Sequence, residues 1–292
     1  MDWVNAIVQG VLIGGLYALF AAGLSLIFGV MRLVNIAHGD MIVAAAYLAL
    51  VIVQATGLHP LASALLVVPL MALIGYAMQR VLLNPTIGKD LLSPLLVTFG
   101  ISVILQNGLL VAFTADSRRL AAGSIETASI QLAPGLSLGV LPLLMFAASV
   151  LIIFGMELVF FRTSLGRAFR ATSDDPEVAQ LMNLNRNHVF GMAMALSAAV
   201  VAIAGIQAEL AHEAIRPNFD PASGPARLIF GFEAVIIGGL GNLWGTLAGG
   251  VVLGVAQAVG AQISPGWQIL AGHLVFFLVL GLRPRGLFPR MD

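Results

Sequence analysis

The polar residues that could do chemistry are few, and most catalytic chemistries can be struck out by their spacing. A nucleotide-binding phosphate loop needs Gly-x4-Gly-Lys-Ser/Thr. The one Gly-Lys pair, Gly88-Lys89, is followed by Asp90 and has Leu83 where the first glycine belongs. A helical zinc protease site needs two histidines four apart with a glutamate beside the first. His212-Glu213 has no second histidine, and His38, His59, His188 and His273 are scattered. There is no cysteine, so thiol catalysis, disulfides and thiolate metal sites are excluded. What remains is a set of amide, imidazole and carboxylate side chains embedded in apolar sequence: Asn35, His38, Asp40, Gln106, Asn107, Glu157, Gln207, Glu209, Glu233, Asn242, Gln257 and His273. Such groups are expensive in hydrocarbon and turn toward a bundle interior or a watery path. Their chemistry is recognition and translocation, not bond breaking. Asn35, His38 and Asp40, clustered at one helix start, and Glu233, the deepest carboxylate of a short apolar segment, are the path candidates. The competing reading of the first three is a helix cap with an interhelical hydrogen-bond network.

The elements that must position these groups are membrane helices. Of 292 residues, 59% are hydrophobic and 10% charged, and the net charge is zero, against roughly a quarter charged in soluble domains. Nothing in that balance calls for a nucleic-acid partner. About 20 apolar residues cross the hydrocarbon core as a helix, which places spans at about 5–29, 37–54, 61–83, 91–113, 138–161, 189–210, 226–241, 244–263 and 267–283. The fold class is an all-α integral membrane protein, a single polytopic domain over 1–292 with eight to ten spans, nine as the best count. The N-terminus, MDWVNAIVQG, reads as the start of the first span rather than a cleaved signal.

Arginine and lysine in short loops stay on the cytoplasmic side. With 162–188 inside, that side collects Arg32, Arg80, Lys89, Arg162, Arg167, Arg170, Arg186, Arg283, Arg285 and Arg290, and the other has Arg118, Arg119, Arg216 and Arg227. The N-terminus is then outside and the C-terminus inside.

Glycines recur within the spans, as helices in lipid need for close packing. The run GGLGNLWGTLAGG, with Gly238, Gly239 and Gly241 at its start, is dense enough to mark a broken helix beside a cavity, which adds these three to the path candidates. Two spans are short, Met41–Val53 once His38 and Asp40 go to its start, and 226–241 with Glu233. Short or interrupted segments in matching places point to a transporter's binding region. LIFGVMRLVNIAHG (26–39) and LIFGFEAVIIGGLG (228–241) share an opening tetrapeptide, a weak sign of an internal repeat.

The exception to the apolar pattern is RTSLGRAFRATSDDPEVAQLMNLN, 162–185. Thr163 or Ser164 can cap one short helix with Leu165, Ala168 and Phe169 on one face. Asp175, followed by Pro176, caps a second, with Val178, Leu181 and Met182 at i, i+3 and i+4. The pattern alone leaves three readings open: a helix on the headgroups, a connector, or an element docking in another protein's groove.

GGLYALFAAGLSLIFGVMRLVNIAHGDMIVAAAY (14–47), SLGRAFRATSDDPEVAQLMNL (164–184), GGLGNLWGTLAGGVVLG (238–254) and RPRGLFP (283–289) together resemble the permease subunits of ATP-binding-cassette importers of the branched-chain amino acid type. The likeness covers nearly the whole chain. It departs at Asn183-Leu184-Asn185, where Gly-Ile is usual, and at Phe230, near a common lysine. The resemblance implies an inner-membrane permease that is not itself an enzyme, working by alternating access on branched-chain or related amino acids. Urea, short amides or another small metabolite are the alternative cargo. It implies as partners a second, homologous permease, two ATPase subunits that use ATP and magnesium, an extracytoplasmic binding protein and membrane lipid, with no cofactor or metal on this chain. It further implies that 162–188 is the ATPase-coupling segment, with Gly166, Ala168, Phe169, Ala171, Asp175, Ala179, Leu181 and Met182 as coupling residues. A secondary transporter or channel is the reading from another class. A carrier needs no docking element, and Asn84-Pro85-Thr86 is not a channel's paired Asn-Pro-Ala.

Overall fold

The computed structural model describes residues 2–88, 92–116, 118–120, 123–133, 136–210 and 220–288. Lys89, His212, Glu213, Arg216 and Arg290 lie outside the described residues.

Helices cover most of each of the nine expected apolar segments. They are α1 (Asp2–Met31), α2 (His38–Thr56), α3 (Pro60–Met78), α4 (Leu92–Phe113) and α5 (Val140–Arg162), then α8 (Arg186–Leu210), α9 (Gly224–Gly238), α10 (Leu243–Ile263) and α11 (Trp267–Leu282). Two short helices, α6 (Ser164–Asp174) and α7 (Pro176–Leu181), form the polar segment. Seven of the nine are long and apolar enough to cross a membrane, α3 with the π-helical turn Gln79–Leu83 that extends it; α9 and α11 are shorter. Part of the expected fifth span is not helical. A two-stranded antiparallel hairpin, β1 (Ser129–Ala133) and β2 (Leu136–Gly139), occupies residues through Gly139, and α5 starts only at Val140.

α1 is the axis of the bundle, buried through most of its length and enclosed by α5, α8, α9 and α10. The antiparallel seam between α1 and α10 is made by glycines four apart on both helices. A β-carbon built on Gly14 would fall 2.5 Å from the Val251 Cα, and one on Gly254 would fall 2.3 Å from the Gly10 carbonyl oxygen. Such backbone contact is what holds helices together where lipid removes the hydrophobic incentive. The glycine run therefore divides in two. Gly245, Gly249, Gly250 and Gly254 pack helices, whereas Gly238, Gly239 and Gly241 make the α9–α10 turn, the latter two with φ of 112° and 79°.

The arginine-rich ends share one end of the bundle. Ser173 Oγ of α6 donates to the Gly29 carbonyl at the end of α1, and Asn84 Nδ2 after α3 donates to the Asn187 carbonyl at the start of α8. The segment after α11 returns to the α9–α10 turn, where Leu287 N and Phe288 N donate to the Ile237 and Gly238 carbonyls. Arg227 counts with the outer side at the start of the expected 226–241 span. It lies in the first turns of α9 with its side chain buried. The two LIFG tetrapeptides also part company. The first closes α1 and the second lies inside α9, so they are not equivalent positions of a repeat.

Candidate translocation site

The chain reverses sharply after α1. Arg32 adopts a left-handed φ of 51° and donates to the Phe28 carbonyl, closing the helix. Residues 32–37 are not helical, and they do not stay at the bundle's end. His38 Nε2 donates to the Phe20 carbonyl at 2.8 Å, so α2 begins beside Phe20, about 16 Å back along α1 at 1.5 Å per residue. Six residues near full extension cover about 20 Å, enough for that climb. Asn35, wholly buried, holds its end: Oδ1 accepts from Ala37 N at 3.1 Å and Nδ2 approaches the Met41 sulfur at 3.7 Å. Asn35 thus closes a turn just before α2, whose N-cap Ala37 has no side-chain cap, and His38 makes an interhelical bond to α1.

The first turn of α9 meets α2 at this depth. A β-carbon on Gly39 would sit 2.0 Å from the Gly224 carbonyl oxygen, and one on Gly224 would sit 2.0 Å from Asp40 Oδ1. Both positions must be glycine for two backbones and a carboxylate to share the space. Two helices therefore start inside the bundle with their N-termini together, and their free N–H groups and dipoles make this a place that favours negative charge. Asp40 occupies it. Its carboxylate accepts from Ser102 Oγ at 2.5 Å and Gln106 Nε2 at 3.0 Å, both from α4. Beside it, Arg227 Nη2 of α9 donates to Glu209 Oε1 of α8 at 2.7 Å in a buried ion pair, while Arg227 Nη1 is buried without a partner among the described residues. Sequence reading missed this pair. The available signal was opposite charges flanking the loop between two spans.

Glu233 lies apart, lower on α9. It is paired with His273 Nδ1 of α11, and its Oε2 is buried without a partner among the described residues. The His273 side chain is 34% exposed. Among the described residues no group of three or more potential metal ligands occurs. Gly238, Gly239 and Gly241 are not at the helix junction. They lie at the arginine-rich end against Arg285 and Phe288, with Gly241 on the wall of a cavity there.

The polar segment folds as expected locally, with Thr163 the actual first cap. Thr163 Oγ1 accepts from Gly166 N at 3.1 Å, and Asp175 Oδ1 accepts from Glu177 N and Val178 N at 2.9 and 3.0 Å. Its outward face differs from the expected one. A β-carbon on Gly166 would fall 2.1 Å from the Phe160 carbonyl oxygen, Phe169 and Ala179 are buried, and Ala168 is half-buried on the core. Gly166, Phe169 and Ala179 pack the hairpin against its own chain. Gly166 is small because the end of α5 passes over it. Ala171 and Asp175 are exposed, and the apolar stripe stands free: Val178 is 54%, Leu181 86% and Met182 75% exposed.

A polytopic helical bundle with helices that start at mid-depth and a hairpin at its arginine-rich end is a transporter's architecture, and the comparisons with known proteins name the kind. The family model for the branched-chain amino acid transport system permease component matches residues 6–280. The chain belongs to this family. It is 29% identical to the high-affinity branched-chain amino acid transport system permease protein BraD of Pseudomonas aeruginosa, over 99% of this chain and 97% of that protein. It is 25% identical to LivH of Escherichia coli K12, a permease protein of the same description, over 97% and 94%. A probable branched-chain amino acid transport permease protein LivH of Methanocaldococcus jannaschii is 27% identical over 87% and 80%. No solved structure matches the chain. The protein is a multi-pass membrane permease.

Proposed function

We propose that this chain is the permease subunit of an ATP-driven importer of branched-chain or related amino acids in the inner membrane, alternating between outward-open and inward-open forms. Its relatives' descriptions support the cargo class, and the hairpin supports the drive. One observation carries the second point. An apolar triplet, Val178, Leu181 and Met182, projects from a capped helical hairpin that is itself bolted to the ends of α1 and α5. A connector has no reason to present such a stripe. A helix lying on headgroups would have to do so within a hairpin whose other side is packed on the bundle. A rigid projection with an apolar tip suits insertion into a groove on a motor subunit. Force applied there reaches α1 through the Ser173–Gly29 hydrogen bond, and reaches α5 through Arg170, whose Nη1 donates to the Phe160 carbonyl. Two ATPase subunits, a second permease and an extracytoplasmic binding protein complete the proposed assembly, ATP and magnesium being used by the ATPases.

The half-helix junction supplies what an amino acid needs inside the membrane. Asp40 offers a partner for an ammonium group, while the helix N-termini and the unpaired Nη1 of Arg227 offer one for a carboxylate. In reconstituted proteoliposomes containing the whole assembly, leucine delivered by its binding protein should accumulate only with internal ATP. Accumulation driven by an ion gradient without ATP would overturn this reading in favour of a secondary carrier.

A further inference from the structure

A separate chamber lies at the arginine-rich end, away from the half-helix junction. It is a cavity of about 710 Å³ between the end of α1, the end of α5, α6 and the α9–α10 turn. Two opposite charges face it from different helices, yet no ion pair joins them. Glu157 comes from α5, half-buried and with no hydrogen-bond partner among the described residues. Arg170 comes from α6, with Nη1 donating to the Phe160 carbonyl and its guanidinium 5.3 Å from the centre of the Phe161 ring. That leaves most of its five donors uncommitted. Ser25 of α1 lines the same wall, and its hydroxyl is wholly buried without a partner. The rest of the wall is apolar, including Leu26, Leu243 and Leu287.

A carboxylate this close to hydrocarbon is costly unless something compensates it. The simplest compensation would be the arginine across the cavity, and the helices hold the two apart. An acid and a guanidinium fixed at separate points of one apolar-walled chamber match a molecule carrying both charges on an apolar body. From this geometry we infer that the cavity is a binding site for a zwitterion, its ammonium on Glu157, its oxyanion on Arg170 and the Ser25 hydroxyl, and its body against the leucines. Two sources share that chemistry: a free aliphatic α-amino acid and the ammonium–phosphate headgroup of phosphatidylethanolamine. The inference goes beyond the importer reading, because the site needs neither ATPase nor binding protein to fill. A bound ligand ties α5 to α6, and so would stiffen the base of the hairpin.

Hydrogen exchange on the full-length protein, purified with its transporter partners in nanodiscs, separates the outcomes. In phosphatidylcholine discs, millimolar leucine should slow exchange of the 164–174 amides at least several-fold. Leucinamide, which lacks the carboxylate, and 4-methylpentanoate, which lacks the ammonium, should not. If the source is lipid, the same protection appears without leucine when phosphatidylethanolamine replaces phosphatidylcholine. In either case Glu157→Gln should abolish the protection, while Asp40→Asn at the distant helix junction should leave it. Protection by neither ligand, or protection that survives Glu157→Gln, overturns the site.

Discussion

Among single residues the sharpest consequences come from buried charge. Arg227 and Glu209 are both buried and bonded to each other, so removing the arginine takes a counter-charge from a buried carboxylate. Arg227→Met should cost about 3–5 kcal/mol, and the double change Arg227→Met with Glu209→Leu should recover much of it. Thermal unfolding of the purified variants in detergent would check both, a single variant as stable as wild type being the failing result. Asp40 poses a related case. Its two oxygens are the acceptors for Ser102 and Gln106, the only hydrogen bonds between α2 and α4 among the described residues. Asp40→Ala should cost about 1–3 kcal/mol through the donors it leaves unpaired, whereas Asp40→Asn, which keeps an acceptor, should fold and lose uptake. Glu233→Gln should likewise reduce uptake more than assembly, because the carboxylate is held by an imidazole that is itself partly open. A His273→Gln variant should match it, and normal uptake by both would make the pair structural. Asn35, His38, Asp40 and Glu233 were legible in the sequence because a polar group in an apolar run is conspicuous. The partners His273, Ser102 and Arg227 were not, because partnership depends on which helices meet.

At the scale of elements, the caps were legible and the facing was not. Asp175-Pro176 announces the start of α7 because a cap is satisfied within three residues. Gly166, which the resemblance makes a coupling residue, is a point of close approach to Phe160 of its own chain. Gly166→Leu should loosen α6 from α5, making 164–181 sensitive to protease in the isolated protein. The proposed contact face is the exposed stripe of α7. Leu181→Asp with Met182→Asp touches only exposed side chains and should leave folding intact. The re-entry of 32–37 escaped hydropathy for a related reason. Hydropathy counts apolar residues without recording depth, and a 30-residue α1 of about 45 Å followed by an extended return looks like one span and a loop.

For the whole molecule, the expected nine segments, their order and the gathering of arginines at one end all follow from composition and the cost of charge in lipid. What composition cannot register is that α2 and α9 begin against each other inside the bundle. That contact depends on Gly39 and Gly224, two unremarkable glycines 185 positions apart. The orientation proposed from the arginines is open to direct labelling, since the chain has no cysteine to interfere. Ala128→Cys should react with an impermeant maleimide in intact cells and Gln180→Cys should react only after permeabilisation; the reverse pattern would invert the molecule. The central claim is that an ATPase drives this permease through the α6–α7 hairpin, and it is tested most directly by ATP hydrolysis in the reconstituted assembly with Leu181→Asp and Met182→Asp. The account predicts that this variant inserts and folds like wild type but either loses its ATPase subunits or keeps them with hydrolysis no longer stimulated by loaded binding protein. Full retention with wild-type stimulation and uptake would contradict it.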